Sequence, residues 1–203
     1  MHCDLLGTVD TAATWSEKLA AITGWESATG RVIDWPSVEA RLGVALPTDY
    51  KQLAQWFGSG AFDGFLQLST PDTPSPHHDL IKGAEWLGAR AAADSSIGDL
   101  FSPHPVFPAA GGLLQWADSV QADQFFWLTD SADPDRWPIL AQPHDDVAAG
   151  WERFDGSTSE FIYRVLTDPR QPFSIACFFD THTFASYEQI SEPDPEWDAD
   201  PHW

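Results

Sequence analysis

The sequence predicts an α+β domain, a twisted antiparallel sheet with helices packed against it. Three stretches point there. Residues 34–57 carry apolar positions at helical spacing between marked helix ends. Residues 113–154 hold short apolar runs separated by turn residues, the pattern of an antiparallel meander. Ser157-Thr158-Ser159-Glu160 is a capping box that opens a further helix. The 203 residues suffice for one core that buries roughly two-thirds to three-quarters of the unfolded surface. A hydrophobic content of 43% and an aromatic content of 13% belong to a folded chain, not a disordered one.

In chain order, Leu5 to Ala28 carries one helix, with Trp15, Leu19 and Ile22 at helical spacing, Thr14 or Thr11 as cap and Gly24 as its end. Residues 1–30 read as an N-terminal helical extension that packs on a domain of residues 31–190. The next two helices have better-marked boundaries. Asp34 is an N-cap, because its carboxylate can accept from the free amides of the first turn. Pro36 sits where no intrahelical donor is lost. Ile33 and Val38 stand at the positions of a hydrophobic staple, and Gly43 stops the helix. Pro47 opens the second helix, whose Tyr50, Leu53, Ala54 and Phe57 form one apolar face. Gly58 and Gly60 end it, and Phe65, Leu66 and Leu68 read as the first strand.

Val38 to Leu53, V-E-A-R-L-G-V-A-L-P-T-D-Y-K-Q-L, resembles the opening signature of the SUKH superfamily. That signature has an acidic residue before Leu-Gly, then Leu-Pro, then an aromatic residue that starts the second helix. Here these are Leu42-Gly43, Leu46-Pro47 and Tyr50. Gly58-Ser59-Gly60 stands where the family often has Asn-Gly. The resemblance covers roughly residues 31–168, strongest at its start. It implies a SUKH-like fold. It also implies a non-catalytic immunity protein that binds and occludes a toxin domain of a bacterial polymorphic toxin system. The family's yeast member regulates cell-wall synthesis. The alternative is therefore a regulatory or scaffold module linked to that process, with carbohydrate contact through exposed tryptophans.

Further along, Pro71 to Pro76 is a proline-rich loop. His77-His78-Asp79 leads into a helix through Leu80, Ile81, Ala84 and Leu87. Adjacent helical residues point about 100° apart, so this run does not make a metal site as an i, i+4 pair would. Phe101 to Pro108 is a rigid loop, and Gly111-Gly112 marks a turn. Leu113, Leu114 and Trp116 give one strand and Gln124 to Leu128 a second. Ile139 to Ala141 and Trp151 to Phe154 give a third and a fourth. Phe161, Ile162, Val165 and Leu166 form the stripe of the capped helix. Ser174 to Phe179 is a strand candidate on which Thr183 to Tyr187 hairpins back. Residues 191–203 form an acidic tail.

No nucleophile elbow, P-loop, dinucleotide fingerprint or Cys-x-x-Cys occurs. The expectation is therefore no enzyme, no cofactor and no metal, with a hydrolase built on paired carboxylates as a remote third class. Cys3 and Cys177 read as two reduced thiols rather than a disulfide. No apolar run reaches the roughly 20 residues of a membrane span, and Met1 to Asp10 lacks the pattern of a secretory signal. The expected setting is cytoplasmic, and the oligomeric state stays open.

The net charge of −21 excludes nucleic acid as a direct partner and favours a basic protein. No Lys or Arg occurs between Arg90 and Arg136, nor after Arg170, while aspartates and glutamates continue. The expected partner surface is Asp118, Asp123, Asp130, Asp133 and Asp135, with Trp127 and Trp137 as apolar anchors. Trp197, also among acids, is a further candidate anchor.

Overall fold

The structure, a computed structural model, describes residues 13–26, 31–71, 73–144 and 150–190. Residues 1–12 with Cys3, and Trp197 with the acidic tail, lie outside the described residues.

Each helix forms where its ends are satisfied. Helix α1 (Trp15–Thr23) has a full capping box: the Thr14 hydroxyl accepts from the Glu17 amide, and Glu17 accepts from the Thr14 amide. Helix α2 (Trp35–Leu42) is capped by Asp34 and stopped by Gly43, whose φ of 78° is left-handed and suits glycine. Helix α3 (Thr48–Phe57) buries Tyr50, Leu53, Ala54 and Phe57, the face that its spacing predicts. Pro47 offers it no side-chain cap. Asp135, distant in sequence, supplies one by accepting from both the amide and the hydroxyl of Thr48.

Strands β1 (Gly60–Phe62) and β2 (Leu66–Leu68) form a hairpin. Helices α4 (Leu80–Ala93) and α5 (Ser95–Asp99) follow. The meander then runs through β3 (Leu113–Ser119), β4 (Gln124–Leu128), β5 (Ile139–Gln142) and β6 (Glu152–Phe154). Helix α6 (Thr158–Thr167) comes next, then β7 (Phe184–Ser186) and the short α7 (Tyr187–Ile190). Together the strands make one open antiparallel sheet of seven, ordered β6-β5-β4-β3-β2-β1-β7. The fold is α+β, with helices flanking the sheet.

Both faces of the sheet are covered over much of their area. The larger core lies between one face and helices α1, α2, α3 and α6. Leu66, Leu68, Trp116, Phe125 and Trp127 of the sheet meet Leu53, Phe57, Phe161 and Val165 of the helices there. Fully burying each of these side chains is worth about 1.5–3 kcal/mol. Leu19 of α1 is wholly buried in the same core, so this helix is built into it. A smaller cluster covers part of the opposite face. There Leu87, Phe101 and Val106 pack on Leu113, Phe126, Leu128 and Leu140.

Three local expectations are corrected. Gly60 starts a strand instead of ending the helix. A Cβ at this position would lie 2.4 Å from the Ala185 carbonyl oxygen, so only glycine lets β7 come this close. Ser174 to Phe179 forms turns, because the Ile175 amide bonds to the Val165 carbonyl at the end of α6 and Phe178 turns back onto Ile175. The strand after it therefore pairs with β1, not with this segment. Finally, the Ser157 hydroxyl accepts from the Glu160 amide, but Glu160 pairs with Arg164 instead of reaching back.

Candidate partner-binding surface

The five aspartates expected on one surface fall into two groups at opposite ends of the sheet. Asp118 and Asp123 flank the turn between β3 and β4, whereas Asp130, Asp133 and Asp135 follow the far end of β4. A strand of this length separates the groups by about 15 Å. The hairpin geometry, invisible in a linear reading of charge, divides the five between the two ends of β4.

Several of these aspartates also serve the fold. Asp123 is buried, with 8% of its surface exposed, and closes the β3–β4 turn. Its carboxylate accepts from the Ser119 hydroxyl at 2.6 Å and from the His144 amide at 3.1 Å. Asp133 caps a short 3₁₀ turn, Pro134–Arg136, by accepting from the Asp135 amide. Asp135 caps α3. Asp130 is exposed, with no such duty.

The two anchor tryptophans are corrected outright. Trp127 is 1% exposed and Trp137 6% exposed. The Trp127 ring meets Tyr50 edge-on at 4.7 Å, and its indole N–H donates to the Thr158 hydroxyl. Trp137 donates to the Ser131 carbonyl oxygen at 2.7 Å. Trp127 sits in the middle of a sheet covered on both faces, where aspartates nearby in sequence say nothing about exposure. Among the described tryptophans, Trp86 is the exposed one, at 58%, with the Arg90 guanidinium 5.1 Å from its ring centre.

The Asp130 end of the sheet carries an open cleft of about 710 Å³. Its walls are the turn between α2 and α3 (Gly43 to Ala45), the loop from Phe107 to Gly111 and the loop from Thr129 onward. The walls are small or apolar, Trp137 is part of the lining, and Asp130 is the charged residue in it. Arg136 is exposed on the same loop but outside the lining.

The Asp118 end is different. Register places Gln67, Asp118, Gln124 and Gln142 side by side across β2 to β5. Their strand neighbours Leu66, Leu68, Phe125 and Ala141 belong to the larger core, so this polar row lies on the opposite face. All four are half-buried. Burial pushes the Asp118 carboxyl up to about 6, and its Oδ1, shut off from solvent, has no hydrogen-bond donor.

His78 leans on the row, with Nε2 2.8 Å from the Gln67 Oε1 and Nδ1 2.9 Å from the Ser75 hydroxyl. Burial, and then the neighbouring His77, lower His78 to about 4, so its ring is neutral near pH 7. The Tyr187 ring lies against His78, tilted by 40° with the ring centres 4.5 Å apart. Burial and the charge of Asp118 push its phenol up to about 12. The sequence signal for this row was an interior strand residue that is polar where its alternation allows an apolar one.

Asp79, the third member of the histidine run, caps α4 by accepting from the Ile81 and Lys82 amides. Among the described residues, no three His, Cys, Asp or Glu side chains come together in a way that could hold a metal ion. Cys177 is an exposed free thiol. No helix among the described residues is long and apolar enough to cross a membrane. No protein-family model, curated protein or solved structure matches the chain.

Proposed function

We propose that the chain is a non-catalytic immunity protein, which binds a toxin domain of a polymorphic toxin system and occludes it. The disposition of charge carries this reading. The chain has ten Lys and Arg against 31 Asp and Glu. Seven of the ten cations, Arg31, Arg41, Lys51, Lys82, Arg153, Arg164 and Arg170, pair with the chain's own carboxylates. Lys18 and Arg90 lie over tryptophan rings. Most carboxylates are left without a counter-charge, and the field they create attracts a basic surface over a Debye length of about 8–10 Å.

The cleft beside Asp130 offers that surface a seat with small and apolar walls, where area adds affinity to the steering that charge provides. The resemblance of Val38 to Leu53 to the SUKH opening supports the same class of function. Cytoplasmic residence, where such a protein would meet its toxin, belongs to the proposal.

The test is co-expression with each toxin domain found among the genes that neighbour this one. Restored growth and an isolable complex are expected, and growth that stays arrested overturns the reading. Asp130→Lys should slow association, most at low salt, because it reverses charge at the cleft without removing a cap. An association rate unchanged at low salt would show that the cleft is not where the toxin is steered.

A further inference from the structure

The polar row at the other end of the sheet is a second place with unused binding capacity. Asp118 stands on β3, an interior strand between β2 and β4. A carboxylate placed there loses hydration and gains no ion pair, since no described Lys or Arg lies within ion-pair distance of it. Such a group is costly unless something compensates it. Among the described residues Asp118 makes no cap, turn or bridge, in contrast to Asp123, Asp133 and Asp135.

The chemistry that would complete this row is narrow. It must bring positive charge to Asp118 and N–H donors to it and to the amide oxygens beside it. Neighbouring strands are about 4.8 Å apart, so one planar fork of N–H groups can reach Asp118 and a glutamine on the next strand together. An ammonium is a point donor and makes poorer use of a row. The row is half-buried, and the acidic exterior favours a cationic protein.

We propose that Asp118, with Gln67 and Gln124 on the neighbouring strands, receives an arginine side chain presented by a protein partner. The outer carboxylate oxygen takes the guanidinium. His78 holds Gln67 in place through its Nε2 and adds no charge. Among the described residues, Gln67, Gln124 and Tyr187 face Asp118, and none of them carries a positive charge. Occupation stabilises the ionised carboxylate, so binding strengthens as the pH rises through about 6. The site is independent of the cleft and of the toxin's identity.

The experiment follows the side-chain amide NMR signals of Gln67 and Gln124 while N-acetyl-arginine methylamide is added at neutral pH. The corresponding citrulline compound, neutral and of the same shape, and the lysine compound serve as comparisons. A saturable shift is expected with the arginine compound, a weaker one with lysine and none with citrulline. Asp118→Asn should abolish the shift. Asp155→Asn, which removes one charge from an exposed ion pair elsewhere, should leave it intact. No saturable shift in the native protein overturns the proposal. So does an unchanged response in Asp118→Asn, or binding of citrulline or lysine as strong as that of arginine. Folding of the Asp118→Asn protein is checked independently by its urea midpoint.

Discussion

Asp118 and His78 sit near one another with pKa values displaced in opposite directions, and their effects on stability oppose. A carboxyl raised from 3.8 to about 6 binds more protons folded than unfolded between those values. The stability it contributes is fully present below pH about 4 and is lost as the pH rises through about 6. His78, lowered from 6.5 to about 4, contributes stability above pH about 6.5 that is lost as the pH falls through about 4. In the native protein the two slopes overlap and partly cancel. Asp118→Asn removes one of them. We expect it to be more stable than the native protein near neutral pH by about 1–2 kcal/mol. The full shift would be worth about 3 kcal/mol before allowing for partial exposure. The gain should vanish below pH about 4. Urea unfolding near pH 7, 5 and 3.5 checks this, and an Asn variant no more stable at neutral pH would rule out the burial penalty.

At the scale of the element, the β1–β2 hairpin and β7 show how a short strand finds its place. Asp63 and Gly64 both have positive φ, and the Phe65 amide donates to the Phe62 carbonyl oxygen to close the turn. The buried Asp63 carboxylate then accepts from the Thr183 amide at 2.7 Å and meets His182 Nδ1 at 2.7 Å. This latch delivers β7 to the outer edge of β1. Asp63→Ala should cost about 1–3 kcal/mol, the usual loss when buried donors are left unpaired. Hydrogen exchange should quicken in β1 and β7 before β4 and β5, and uniform loss of protection across the sheet would contradict a local latch. Helices α1 and α2 were legible in the sequence because each has a cap, a stop and a periodic face, and α3 because a proline opens it, a glycine stops it and its apolar face is periodic. β1 and β7 were not. Each is three residues long, too short for alternation to show, and their pairing depends on a contact made far along the chain. Asp63-Gly64 was a readable hairpin signal that went unused. The aspartates were legible as charge but not as caps, because Asp135 serves a helix it is nowhere near in sequence.

For the whole molecule, charge and packing pull in different directions. A net charge of −21 on one chain repels itself, and the core holds the fold together against that repulsion. Added sodium chloride should therefore raise the thermal midpoint steadily up to a few tenths molar, as screening shortens the reach of the field. A midpoint that falls over the same range would show that the ion pairs outweigh the repulsion. The closing strand has a consequence in time. Asp63 and His182 are 119 residues apart. A ribosome adding roughly 5–20 residues per second makes the β1 hairpin wait on the order of ten seconds for its outer neighbour. For that interval its edge is bare, and the nearest matching strand belongs to another nascent chain on the same messenger. Slower synthesis should then raise the share of copies lost to pairing with one another.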